Sequence, residues 1–169
     1  MQRQTLSHGF GPFYDSRSRL LILGSFPSVK SREQGFYYGH PQNRFWPVLA
    51  AILREENPKT LREKQDFLRR NHIALYDVIE SCSIVGSSDS SIADVVPASL
   101  KPILQNSLVG TRIFTNGSTA DALYRKHLLP LLQIEACRLP STSPANAAWS
   151  LPRLIDAWRE AMVSTGVFE

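Results

Sequence analysis

Cysteine is scarce in this 169-residue chain. Cys82 and Cys137 are its only two, far apart and without the paired spacing that a zinc site or an iron–sulfur cluster requires. Two buried thiols are expected, and no metal or cofactor. The four histidines, His8, His40, His72 and His127, form no metal-binding signature either. No apolar run approaches the ~20 residues of a membrane-spanning helix. The polar opening MQRQTLSHGFGPFYD has no signal-peptide core. These absences point to a soluble, intracellular protein without a membrane partner. Also missing are internal repeats, a Ser–His–Asp order, a phosphate-cradling glycine loop and the zinc deaminase signature.

What is present suits one ordinary globular domain over residues 1–169. The composition is 43% apolar and 20% charged, enough for a two- or three-layer core. The formal charge of +4 is compatible with a nucleic-acid partner but selects for one only weakly. Arg69-Arg70 beside His72 reads equally as a solvated helix end and as a phosphate contact.

Arg19-Leu20-Leu21-Ile22-Leu23-Gly24 reads as a buried parallel strand closed by glycine. A long loop through Tyr37, Tyr38 and Pro41 follows. Helical spacing of Phe45, Val48, Leu49, Ile52 and Leu53 then marks an amphipathic helix with Pro47 in its first turn. Thr60 and Glu63 form a capping-box pair for a second helix. Further strands are expected over 73–79, 112–115 and 134–139. Helices are expected over 100–104, 120–128 and 151–162, and a polar loop over 86–91. Strands alternating with helices imply an α/β fold with a mainly parallel sheet, whose ligands bind beyond the carboxyl ends of the strands. Loops of unusual composition follow the strands ending near Gly24, Asn116 and Leu139, which motivates a single site built from all three.

Those loops carry asparagines and aromatics. An amide offers a donor and an acceptor for a base edge or a water, and an aromatic ring stacks on a base with about 1–3 kcal/mol. Enzymes that act on a flipped base need both.

Two segments go further: GSFPSVKSREQGFYYGHPQNRFW, with Gly24, Pro27, Tyr38, His40-Pro41, Asn43 and Phe45-Trp46, and LPSTSPANA over 139–147. With them the chain resembles the uracil-DNA glycosylase superfamily, near its mismatch-specific branch and nearer still to its hypoxanthine-DNA glycosylase branch. The resemblance spans nearly the whole chain and implies a three-layer α/β/α sandwich around a central, mainly parallel four-stranded sheet. It further implies a monofunctional glycosylase that releases hypoxanthine from deoxyinosine. The partner would be DNA carrying a deaminated base, bound by a monomer. In a bacterium or archaeon the location would be cytoplasmic and nucleoid-associated.

The resemblance assigns residues as well. Asn43, the asparagine of the HPxN segment, becomes the catalytic or substrate-positioning amide, expected to hold the attacking water in place of the residue replaced by Phe26. The uracil branches place a water-positioning Asp or Asn where this chain has Phe26, and an oxyanion-stabilising His or Asn where it has Ser141. Phe26, Tyr38, Asn116 and Ser141 would bind the base. Lys30, Arg32, Thr142, Ser143, Pro144 and Asn146 would meet DNA. His40 is not assigned as a general base. Simpler readings stand beside these: Asn43 as a helix N-cap, Asn116-Gly117 as a turn, Tyr38 and Phe26 as core, Lys30 and Arg32 as a solvated face. Rival functions are a uracil or mismatch-specific uracil glycosylase and a non-catalytic damaged-DNA-binding module.

Overall fold

A computed structural model describes residues 1–168. Its centre is a four-stranded sheet of order β3-β2-β6-β7, formed by β2 (Leu20–Gly24), β3 (Ile73–Asp77), β6 (Ile113–Asn116) and β7 (Cys137–Leu139). Every pairing in it is parallel. Leu20, Leu21, Ile22 and Leu23 are all fully buried. Successive strand side chains point to opposite faces, so helices must cover both sides of β2. The expected α/β sandwich with a parallel four-stranded sheet is therefore observed.

The helices are α1 (Val29–Gln34), α2 (Phe45–Leu53), α3 (Leu61–Arg70), α4 (Lys101–Gln105), α5 (Ser118–His127), α6 (Leu129–Leu132) and α7 (Leu151–Val163). Pro47 lies in the first turn of α2, where its missing N–H costs nothing. Thr60 caps α3 by accepting from the Glu63 N–H. Phe45 on α2 and Trp158 on α7 are fully buried and meet edge to face at 5.9 Å, which joins the two helices.

Several features depart from the sequence reading: the stretch read as a long loop after Gly24 holds α1, which Ser28 caps, and the last strand, expected over 134–139, begins only at Cys137. The apolar stretch 73–79 is not one strand: β3 ends at Asp77, and the chain turns through Val78 into β4 (Ile79–Val85). That strand joins β1 (Arg3–Ser7) and β5 (Ala93–Pro97) in a separate antiparallel sheet of order β1-β4-β5. Cys82 is buried as expected, whereas Cys137, at the exposed start of β7, is not.

Parallel register sets the site. Gly24 lies beside Asp77, and Asn116 beside Leu139, so four strand ends open onto one edge of the sheet.

Candidate active site

At that edge lies a cavity of about 310 Å³, near the lower end of the ~300–1,000 Å³ usual for small-molecule sites. Its lining includes Phe26, Tyr38, Asn43, Asn116 and Ser141, all expected there from the sequence. Ser143, Pro144 and Ala145 border it from the last loop.

Asn43, Thr142 and Asn116 form one hydrogen-bonded chain across the site. The Phe45 N–H donates to Asn43 Oδ1 at 2.9 Å, and the Thr142 hydroxyl donates to the same oxygen at 2.8 Å. Asn116 Nδ2 donates to Thr142 Oγ1 at 3.0 Å, while the Thr142 N–H donates back to Asn116 Oδ1 at 3.1 Å. A backbone N–H can meet only an oxygen, so the Phe45 and Thr142 amides fix the orientation of both asparagines. Asn43 therefore spends its acceptor on the protein and keeps its Nδ2 hydrogens for the cavity. Asn43 lies just ahead of the α2 N-cap, which is Arg44, and its contact to Phe45 does part of a capping residue's work.

Thr142, expected to face DNA, is fully buried at the centre of this chain. Burial of the bridging hydroxyl among partners is what makes the network rigid. The last loop is held from a second side by Arg44. Its guanidinium donates to the Trp149 carbonyl and, at 3.0 Å each, to the Ser143 and Asn146 carbonyls. Asn146 Nδ2 donates to the Ser141 carbonyl at 3.0 Å. Arg44 could have been suspected from the sequence only as a cation next to a motif; carbonyls 99 to 105 residues downstream have no local signature.

Tyr38 stacks on Phe45 with ring centroids 3.9 Å apart and planes 15° from parallel. Its backbone φ is +53°, uncommon for a bulky residue and a marker of a constrained position. Its buried hydroxyl lies beside the Asn116 amide without reaching a regular hydrogen bond. Burial, reinforced by the nearby Asp77 charge, pushes the phenol well above the usual tyrosine range. Opposite, Phe26 is 8% exposed and packs on Ile79, Cys82 and Ile84 of β4.

Arg32 does not line the cavity. Its guanidinium donates to the Pro27 carbonyl at 2.8 Å and the Gly86 carbonyl at 3.3 Å, and lies 5.7 Å from the Phe26 ring centroid. That arrangement supports the wall rather than presenting a free cation. Lys30 is on the α1 surface, 3.5 Å from Glu33. His40 does border the cavity, and its Nδ1 accepts from the Gln42 N–H at 3.1 Å.

Sequence reasoning passed over two carboxylates. Asp77 ends β3 and is 4% exposed; its Oδ2 meets His8 Nε2 at 2.7 Å. Asp89, at the cavity mouth, accepts from Ser25 Oγ at 3.0 Å. Burial raises the Asp89 carboxyl above its ordinary range, opposed by that hydrogen bond. Gly24 leaves room for Asp77: a Cβ there would stand 2.4 Å from Asp77 Oδ1. Gly117, with φ +98°, likewise admits the last loop, since a Cβ would come within 3.0 Å of Ser141 Cβ. Among the described residues, no group of acidic, histidine and cysteine side chains could hold a metal ion.

The family model of the uracil DNA glycosylase superfamily matches residues 11–162. A hypoxanthine DNA glycosylase of Methanosarcina acetivorans is 33% identical over 149 residues, covering 88% of this chain and 93% of that protein. One from Methanosarcina barkeri is 38% identical over 87 residues, about half of each chain. The solution NMR structure of a candidate uracil DNA glycosylase from Methanosarcina acetivorans superposes with a TM-score of 0.73 at 29% identity. That match covers 94% of this chain and 99% of the other.

Proposed function

Because the chain belongs to the uracil-DNA glycosylase superfamily, in its hypoxanthine-DNA glycosylase branch, we propose that it hydrolyses the N-glycosidic bond of deoxyinosine in DNA. The products are free hypoxanthine and an abasic site. The observation that carries this reading is the Asn43–Thr142–Asn116 chain, which ties three strand-end loops around a cavity walled by Tyr38 and Phe26.

In the proposed reaction the flipped base stacks on Tyr38, whose far face rests on Phe45. The C1′–N9 bond breaks first, leaving a cation-like sugar and an anionic base. Water then forms the new C1′–O bond and gives up a proton to solvent, and the base anion takes one up from solvent to leave as neutral hypoxanthine. Asn43 serves as a donor: its free Nδ2 hydrogens meet negative charge as it develops on the departing base. This revises the water-holding duty expected of it, because Oδ1 already accepts from Phe45 and Thr142. Phe26 offers no acceptor to an attacking water, which favours a dissociative route. Ser143, Pro144 and Asn146 belong to the loop proposed to occupy the duplex beside the extruded nucleotide, with Ser141 at the rim of the base pocket.

The test is release of hypoxanthine, uracil and xanthine from otherwise identical single strands and duplexes. Fastest release of hypoxanthine supports the proposal. Fastest release of uracil transfers the function to the uracil glycosylases, and binding without release makes the protein a lesion-binding module.

A further inference from the structure

One charged group in the cavity has no part in the chemistry above. Asp77 stands at the end of β3 with its side chain 6% exposed. Its Oδ2 is 2.7 Å from His8 Nε2, and His8 Nδ1 accepts from the Gly11 N–H at 3.2 Å. Imidazole must carry at least one ring proton, and Nδ1 is an acceptor here. Nε2 therefore bears the hydrogen and donates, and Asp77 is the acceptor. Phe10, Tyr76 and Tyr37 enclose the His8 ring at centroid distances of 4.6, 4.9 and 5.8 Å. The imidazole thus fixes the carboxylate rotamer.

Asp77 Oδ1 takes no hydrogen bond from any described residue, yet it lies over the Gly24 Cα on the cavity lining. That oxygen is left open to the cavity, where a donor on a bound molecule can meet it. The cavity accordingly offers a fixed carboxylate oxygen that no described residue engages in a hydrogen bond, with the unpartnered Tyr38 hydroxyl as its nearest polar neighbour across Gly24.

We propose that Asp77 reads deamination itself, by accepting the ring N–H that a deaminated base has and its parent lacks. The inference rests on reading the cavity as a base pocket. Deamination turns adenine N1, a hydrogen-bond acceptor, into hypoxanthine N1–H; the same change converts cytosine N3 into uracil N3–H. A carboxylate pairs with either N–H and repels either lone pair, so one atom both selects the damaged base and rejects the normal one. His8 is a positioning residue that aims it. This role concerns recognition rather than rate, because a fixed negative charge does not help a base depart as an anion.

The experiment compares binding of uncleavable 2′-fluoro analogues of deoxyinosine and deoxyadenosine, each opposite an abasic position so that pairing energy does not enter. Wild-type protein should favour the inosine analogue by about 10–100-fold, the worth of one hydrogen bond to a charged group. Asp77→Asn keeps the His8 contact through its amide oxygen and turns an NH2 toward the cavity. The preference should collapse, while affinity for an abasic-site duplex stays unchanged. If Asp77→Asn folds poorly, wild-type protein should bind a 1-deazaadenine analogue, which lacks the N1 lone pair, more tightly than the adenine one. An undiminished preference in Asp77→Asn, or no gain with 1-deazaadenine, overturns the proposal. Failure of the wild-type protein to release hypoxanthine sinks the functional reading instead. The fluoro-deoxyuridine and fluoro-deoxycytidine pair would still test Asp77 in that case.

Discussion

The Thr142 hydroxyl donates to Asn43 Oδ1 at 2.8 Å, joining two loops that lie 99 residues apart in the chain. The contact has only one possible direction, since the Phe45 N–H fixes the amide oxygen of Asn43 toward the hydroxyl and an oxygen without hydrogens can only accept. Replacing Thr142 by valine conserves shape but leaves Asn116 Nδ2 without its acceptor. A stability loss of about 1–3 kcal/mol is expected, seen as a lower denaturation midpoint, with a larger fall in base release as the Asn43 amide loses its anchor. Thr142→Ser should restore most of both.

Asn43→Asp separates a donor from an acceptor role. A carboxylate can still accept from Phe45 and Thr142, so the fold should hold. It has no hydrogens to offer the departing base, and release should fall about 10²–10³-fold, the usual cost of one transition-state donor. Retained or faster release would mean that residue 43 works by accepting from water.

Arg44→Lys replaces a planar fork by a single ammonium. The guanidinium spans the Ser143, Asn146 and Trp149 carbonyls, and a lysine cannot reach all three at once. Faster proteolysis within 141–149 and weaker DNA binding are expected, with the parallel sheet intact by circular dichroism.

Alkaline pH should destabilise the protein through its buried tyrosines. Burial holds Tyr37, Tyr38, Tyr76 and Tyr124 above the ordinary value of 10.0, with Tyr124 pushed up to about 12. Between the unfolded and folded values the unfolded chain has lost protons that the folded one keeps, so stability falls as pH rises. Urea midpoints should therefore decline steadily above pH about 10. Tyr124→Phe should flatten part of that decline, even though it loses the 2.6 Å hydrogen bond to the Ile134 carbonyl.

The parallel sheet was legible because a strand buried on both faces reads as an unbroken apolar run, as in Leu20–Leu23. The antiparallel sheet was not. Residues Arg3–Ser7 are mostly polar and exposed, the β4–β5 pairing shifts register twice, and β5, although its exposure alternates, reads Ala-Asp-Val-Val-Pro without an apolar–polar alternation. That sheet turned out to matter for the site: the His8 N–H donates to the Glu80 carbonyl just beyond β1, which brings His8 against Asp77. β4 also supplies the wall behind Phe26. The lining positions of Tyr38, Asn43 and Asn116 followed from motif and strand-end placement. The direction of the amides and the burial of Thr142 did not, because both depend on contacts across 26 to 99 residues of sequence.

The substrate choice is tested most directly by single-turnover base release from two duplexes that differ only in carrying deoxyinosine or deoxyuridine. Faster release of hypoxanthine, lowered about 10²–10³-fold in Asn43→Asp, is the expected result. Faster release of uracil, or tight binding with no base released from either duplex, would contradict the account.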